Sequence, residues 1–298
     1  MEYRVLGKSA LSVSRIGFGC MSLGENDADN SRLLHAAIEK GINFFDTADL
    51  YGKGQNEITV GQALKEKRKD IILATKVGNQ WKSDGSGWIW NPRKEYILSA
   101  VNDSLQRLQT DYIDLYQLHG GTIEDNIDEA IDAFNILQQQ GKIRFYGISS
   151  IRPNVIRSYA YRSAITSVMM QYSLLDRRPD ESCLDLLLDK SIGVLARGSL
   201  ASGLLVSKPA KIYLNYNEDA VKQAAGSVNS VSGKKRGNTQ TALQFVLQQP
   251  AITSAVVGMR TIEQLDEAVK TIDSPLLTQE EMFLLQNSVP RNYYKEHR

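Results

Sequence analysis

IILATK at Ile71–Lys76, a segment opening on Asn91-Pro92, and YIDLYQLH at Tyr112–His119 decide how this chain folds. The flanking runs are short and apolar, as buried strands are. The segment between them sets Ile97, Val101, Leu105 and Leu108 on one helical face. Asn91 is placed to cap that helix, with Pro92 in its first turn, where a missing N–H costs nothing. Strand, helix and strand in this order form one parallel unit.

Working outward, the same alternation recurs. IGFG near Ile16 and NFFD near Asn43 precede the unit. RFYGIS from Arg144, SVMMQY from Ser167, GVLAR from Gly193 and SAVVG from Ser254 follow it, giving eight strands. One intervening helix carries Leu34 and Ile38 and stops at Gly41; another carries Ile127, Ile131, Phe134 and Leu137 and stops at Gly141. A third begins at Asn238-Thr239 and carries Leu243 and Leu247. The expectation is an α/β chain folded as a parallel (β/α)8 TIM barrel, with residues 1–298 as one domain. Residues 3–15 read as a β-hairpin capping the barrel bottom. The Gly-, Ser- and Lys-rich stretch Gly226–Gly237 reads as a mobile loop.

Composition narrows the function. Thirty-five basic and 34 acidic residues leave a net charge of +1, which gives no argument for a nucleic-acid surface. The N-terminus lacks the apolar core of a signal peptide, and no run approaches the ~20 apolar residues of a membrane span. Cys20 and Cys183 lie too far apart in sequence for a disulfide framework or a cysteine-rich zinc site. The expectation is a cytoplasmic protein without a metal.

In such a barrel, reactive groups sit at the C-terminal strand ends. That rule selects Asp46, Tyr51 five residues later, Lys76 and His119. Each has an ordinary structural reading: a cap, a packed ring, an ion-pair partner, a satisfied imidazole. Their conjunction at successive strand ends is what those readings do not predict. Carbonyl reduction needs a hydride on carbon and a proton on oxygen. A tyrosine is a weak acid, but an ammonium ~4 Å away at an effective dielectric near 20 stabilises its anion by about 4 kcal/mol, against about 1 kcal/mol in bulk water. Lys76 can therefore make Tyr51 a usable acid, with Asp46 holding Lys76 charged and His119 orienting the carbonyl oxygen. The hydride must come from a cofactor. GFGCMSLG at Gly17 lacks the third glycine of a dinucleotide-binding turn, so a nicotinamide must be held in another way.

These residues and their setting resemble the aldo-keto reductase superfamily, nearer its bacterial members and potassium-channel β-subunits than its steroid-reducing branch. The resemblance rests on GFGCMSLG, FFDTADLYG at Phe44–Gly52, ATKVG at Ala74, DYIDLYQLHG at Asp111, GKIRFYGIS at Gly141, QYSLLDRR at Gln171 and VVGMRTIEQLDE at Val256. It spans nearly the whole chain. It implies NADPH lying across the barrel mouth, and a tetrad of Asp46, Tyr51, Lys76 and His119. Cofactor contacts implied are Gly19, Cys20 and Met21 after the first strand, Asp46, Ser149, Gln171 and Arg197. Gly198, Ser199, Leu200, Ser202 and Gly203 would serve the pyrophosphate, and Gly258, Met259, Arg260, Gln264 and Glu267 the adenosine end. Arg260 suits a 2′-phosphate, because a guanidinium matches phosphate geometry.

The chain departs from the family pattern in places. Ser150 stands where Asn is usual, and Ala268 where an adenine-contacting Asn is common. Met169 takes the place of a Gln that grips the nicotinamide amide; Gln171, two residues on, faces the same side of the strand. Arg197 replaces a common stacking Tyr, and the loop after Val206 is short. Trp81, Trp88 and Trp90 can wall the substrate pocket or pack the rim. Two other functions share these features: an NADPH-binding regulatory or interaction module with little turnover, and a barrel aldolase with Lys76 as Schiff-base nucleophile. The pairing with Asp46 argues against the aldolase.

Overall fold

Eight parallel strands close into a barrel in the computed structural model, which describes residues 1–298. The chain opens with an antiparallel hairpin, β1 (Tyr3–Val5) and β2 (Ser12–Ser14). The barrel strands are β3 (Ile16–Gly19), β4 (Phe44–Asp46), β5 (Ile72–Val77), β8 (Ile113–Leu118), β9 (Ile143–Ser149), β10 (Ser167–Gln171), β11 (Gly193–Arg197) and β12 (Ile252–Val257). Pairing of β12 with β3 closes the ring. A second hairpin, β6 (Asn79–Trp81) and β7 (Trp88–Trp90), rises from the loop after β5. The helices are α1 (Asp27–Glu39), α2 (Gln55–Leu64), α3 (Lys94–Leu108), α4 (Ile127–Gln139), α5 (Pro153–Arg162), α6 (Cys183–Asp189), α7 (Glu218–Ser230), α8 (Asn238–Leu247), α9 (Ile262–Val269) and α10 (Gln279–Asn287).

Two cores follow from the period-2 alternation of the strands. Outward residues such as Phe45, Leu73, Val77 and Tyr116 pack under the helices. Inward residues Phe44, Ile72, Ala74, Leu115, Met169, Leu195 and Val256 fill the barrel, and Leu6, Leu11 and Val13 of the N-terminal hairpin join them. The hairpin therefore plugs the bottom, as the sequence implies. Above this apolar filling the inward row turns polar. Asp46, Lys76, Gln117, Gln171 and Arg197 each stand two residues beyond an inward core residue, so the pleat carries them to the barrel mouth.

Two sequence expectations need correction. Helix α3 starts at Lys94, with Arg93 in the N-cap position but making no side-chain cap, not at Asn91-Pro92. The Asn91 side chain is used elsewhere: it accepts from the Arg93 amide and donates to Gln80 in the β6–β7 hairpin. Gly226–Gly237 is not a mobile loop. Its first five residues belong to α7, whose apolar row Val221, Ala224 and Val228 runs through them. Arg236 is buried and donates to the carbonyls of Val231, Pro275 and Leu276 and to the Glu281 carboxylate. The composition hid this anchor because one buried cation outweighs a flexible-looking neighbourhood. Arg236→Ala should cost about 3–5 kcal/mol in chemical denaturation, because several buried acceptors lose their donor at once. A mobile segment would tolerate the change.

Candidate active site

The segment after β4 sets the first half of the site. Asp46 is the last residue of β4, and Tyr51 opens a tight turn that runs through Gly52 (φ 57°), Lys53 (φ 57°) and Gly54 (φ 88°) into α2. Glycine is required at position 54 twice over: the backbone is left-handed, and a Cβ would lie 2.8 Å from Arg107 Cδ. The turn aims Tyr51 back across the mouth towards β5.

Lys76 meets it there. Its Nζ donates to Asp46 Oδ2 at 2.6 Å, to the Thr47 carbonyl at 2.7 Å and to the Tyr51 hydroxyl at 3.2 Å. Lys76 is 1% exposed, so its three donors are satisfied within the protein. Gln117 Nε2 donates to the other Asp46 oxygen at 3.1 Å. Burial pushes the Lys76 ammonium towards losing its proton, but the Asp46 charge and the Tyr51 hydroxyl outweigh it and hold Lys76 above its ordinary range. Burial also pushes the Asp46 carboxyl up, against the pull of Lys76 and Gln117. His119 follows β8, edge-on to Tyr51 with ring centroids 5.8 Å apart. Burial, then the charges of Lys76 and Arg197, lower its pKa to about 3, so the imidazole is neutral. Its Nδ1 is buried without a partner.

The four tetrad candidates are thus brought together. The other candidates divide. Gln171 and Arg197 are register partners on β10 and β11, and Ser149 ends β9, so all three border the same mouth. Beyond Arg197, Gly198, Ala201, Ser202 and Gly203 all have positive φ, and the Ser199 hydroxyl is buried without a partner. The turns close on themselves here: the Ala201 and Gly203 amides donate to the carbonyls of Gly198 and Leu200, both at 2.8 Å. Cys20 and Met259 are fully buried in the outer core, backbone included, and their carbonyls accept from Asn56 and Ser22. Gly19 and Gly258 sit at the β3 and β12 ends, where Ser22 Oγ bridges the carbonyls of Gly19 and Met259. Met21 and Arg260 are exposed, and Arg260 Nε donates to the Ser22 carbonyl at 3.2 Å. Gln264 is turned onto the Arg260 amide, and Glu267 is engaged by Gln240 and Lys270. These last three lie on the β12–α9 rim, apart from the tetrad.

Of the two roles expected of the tryptophans, the structure shows rim packing, at Trp90, and none of the three borders the cavity beside Tyr51. Trp90 packs the rim, its Nε1 donating to both Asp125 oxygens at 3.0 Å. Trp81 lies beside Lys53, with a buried and unpartnered Nε1, and Trp88 is 49% exposed. A cavity of about 620 Å³ opens beside Tyr51, bordered by Met21, Leu23 and Leu50 and by Glu25, Gln55 and Asn56. Sequence reasoning missed Gln117 and the Thr47 carbonyl. Gln117 had a signal, a polar inward residue within the apolar strand IDLYQL; a backbone acceptor has none.

The fold and this constellation define a class, an oxidoreductase barrel. The chain belongs to the Aldo/keto reductase family, whose profile matches residues 15–289. It is 50% identical over 307 residues to "Uncharacterized oxidoreductase YqkF" of Bacillus subtilis (strain 168), covering 100% of both chains. The holo form of aldo-keto reductase AKR11C1 from Bacillus halodurans superposes with a TM-score of 0.95 at 49% identity, covering 100% of this chain and 99% of that one. Glycerol dehydrogenase AKR11B4 from Gluconobacter oxydans is more distant, at 27% identity and a TM-score of 0.85, with 96% of this chain and 94% of that one covered.

The depressed His119 pKa has a stability consequence. From about pH 6.5, its ordinary value, down to about 3, the unfolded chain binds a proton that the folded chain refuses, so stability falls as pH falls. Chemical denaturation at about pH 7 and about pH 5 should show His119→Gln losing about 2 kcal/mol less stability than the wild type over that interval.

Proposed function

We propose that this protein reduces aldehydes or ketones to alcohols with NADPH, and that Tyr51 donates the proton. The observation that carries this is the Lys76 ammonium shared between Asp46 and the Tyr51 hydroxyl. When bound, NADPH supplies the hydride that the carbonyl carbon receives. Tyr51 releases its hydroxyl proton to the carbonyl oxygen, and Lys76 stabilises the phenolate left behind. Asp46 and Gln117 keep Lys76 charged and in place. A pKa of about 3 removes His119 from contention as the acid, because it carries no second proton at neutral pH. A neutral imidazole can still donate one N–H to orient the carbonyl oxygen.

Several features support a dinucleotide at the mouth. The unpartnered Ser199 hydroxyl suits a pyrophosphate, and Gln171, Arg197 and Ser149 border the mouth where the nicotinamide would lie. The exposed guanidinium of Arg260 suits a 2′-phosphate, which favours NADPH over NADH. Cytoplasmic location remains the reading of the sequence; no helix is long and apolar enough to cross a membrane.

Tyr51→Phe should lower carbonyl-dependent NADPH oxidation on the order of 10³-fold, with NADPH binding by fluorescence retained. Full activity in that variant would refute the role of Tyr51. Tight NADPH binding by the wild type with no turnover across a carbonyl panel would favour a binding module instead. Arg260→Ala should weaken NADPH binding about tenfold and leave NADH binding unaltered, since only the former loses a charge-assisted contact.

A further inference from the structure

Strand pairing fixes two of the three acceptors around Lys76 but not the third. Asp46 ends β4 in register with Ala74, and the Thr47 amide still donates to the Ala74 carbonyl of β5 at 2.9 Å. The last such bond runs from the Asp49 amide to the Lys76 carbonyl at 3.3 Å, and Tyr51 lies beyond it. The distance between Tyr51 and Lys76 is therefore left to the turn and to α2. Glu57, in the first turn of α2, is wholly buried where α2, α3 and β5 meet. Its Oε1 accepts from the Thr75 hydroxyl at 2.6 Å, and its Oε2 from Arg107 Nε at 2.7 Å and the Ser104 hydroxyl at 3.3 Å. Three donors converge on one carboxylate, and a neutral amide in its place would turn its own N–H groups towards one of them. Thr75 precedes Lys76 on β5, so the pleat turns Thr75 out to Glu57 and Lys76 in to Tyr51. The bond from Thr75 to Glu57 thus closes, from outside the barrel, a loop of links around the contact between Tyr51 and Lys76. Arg107 supports the same loop from behind, because its stem occupies the space that a side chain at Gly54 would need.

We propose that Glu57 is a positioning residue for Tyr51: by pinning the start of α2 to β5 at Thr75, it sets the distance between the Tyr51 hydroxyl and the Lys76 ammonium. The proposal rests on the reading of Tyr51 as the proton donor. Glu57 touches neither the substrate nor Lys76, and its effect is geometric. Slackening the tie lets the tyrosine turn drift from the strand that carries Lys76. The ammonium then stabilises the phenolate less, since the interaction falls with distance. The hydroxyl also loses its alignment for proton donation, and a misplacement of about 1 Å costs up to about 10²-fold in rate.

The test is carbonyl reduction by the whole enzyme in Thr75→Val, which removes the tie to β5 with little change of shape and leaves Glu57 on Arg107. Both kcat and kcat/KM should fall about tenfold, with NADPH binding by fluorescence within about twofold of the wild type. The high-pH limb of the kcat/KM profile should move up by about half a pH unit, the change expected when the separation grows from ~4 to ~5 Å at an effective dielectric near 20. Thr75→Ser keeps the hydroxyl and should restore both the rate and the profile. Glu57→Gln should move both in the same direction as Thr75→Val, and it carries the comparison if Thr75→Val does not fold. A wild-type rate and profile in Thr75→Val, or equal losses in Thr75→Val and Thr75→Ser, would overturn the proposal. So would a loss of NADPH binding in step with kcat, which marks general support of the fold. Tyr51→Phe separates the two ideas. If Glu57 acts through Tyr51, adding Thr75→Val to Tyr51→Phe should cause no further loss, and a further tenfold loss would refute the positioning role. Full activity in Tyr51→Phe alone would instead sink the proton-donor reading.

Discussion

A lysine ammonium taken out of water is the constraint around which the barrel mouth is arranged. Desolvating Lys76 costs several kcal/mol, which only close and well-aimed acceptors offset. The structure supplies Asp46, the Thr47 carbonyl and the Tyr51 hydroxyl, all from the segment that leaves β4. Because β4 and β5 are neighbouring strands in fixed register, a slip of one residue would turn Lys76 or Asp46 outward into the helical layer. The interior apolar layer and the hairpin plug beneath it fix that register. The ion pair in turn holds the start of the turn that carries Tyr51.

The electrostatics beyond the ion pair follow from it. Burial at the mouth, and then the charges of Lys76 and Arg197, keep a further cation off His119, and the imidazole stays neutral. The same dry surroundings work in the opposite direction on carboxyls. Asp49, in the segment after β4, is pushed towards its neutral form by burial and by the nearby Glu57.

Much of this was legible in the sequence, and the reasons are specific. Each barrel strand is a short apolar run, and the ends of those runs fall at Asp46, Lys76 and His119. The DTADLYG segment placed Tyr51 among them. What escaped was of two kinds. Arg236 read as part of a flexible stretch because its acceptors, the carbonyls of Pro275 and Leu276, lie 39 and 40 residues away. Asn91 read as a helix cap, whereas its side chain serves a hairpin that alternation alone does not reveal. Both misreadings concern polar groups whose partners are distant in sequence or are backbone atoms.

The central claim is that the Lys76 charge makes Tyr51 a competent acid. The most direct test removes that charge without stranding its partner, in the double variant Asp46→Asn/Lys76→Met, with NADPH binding measured by fluorescence to show that the site is formed. An interaction of about 4 kcal/mol predicts that kcat for carbonyl reduction falls on the order of 10³-fold while NADPH still binds. A kcat that stays within about tenfold of the wild type, about 1.4 kcal/mol, would contradict the account.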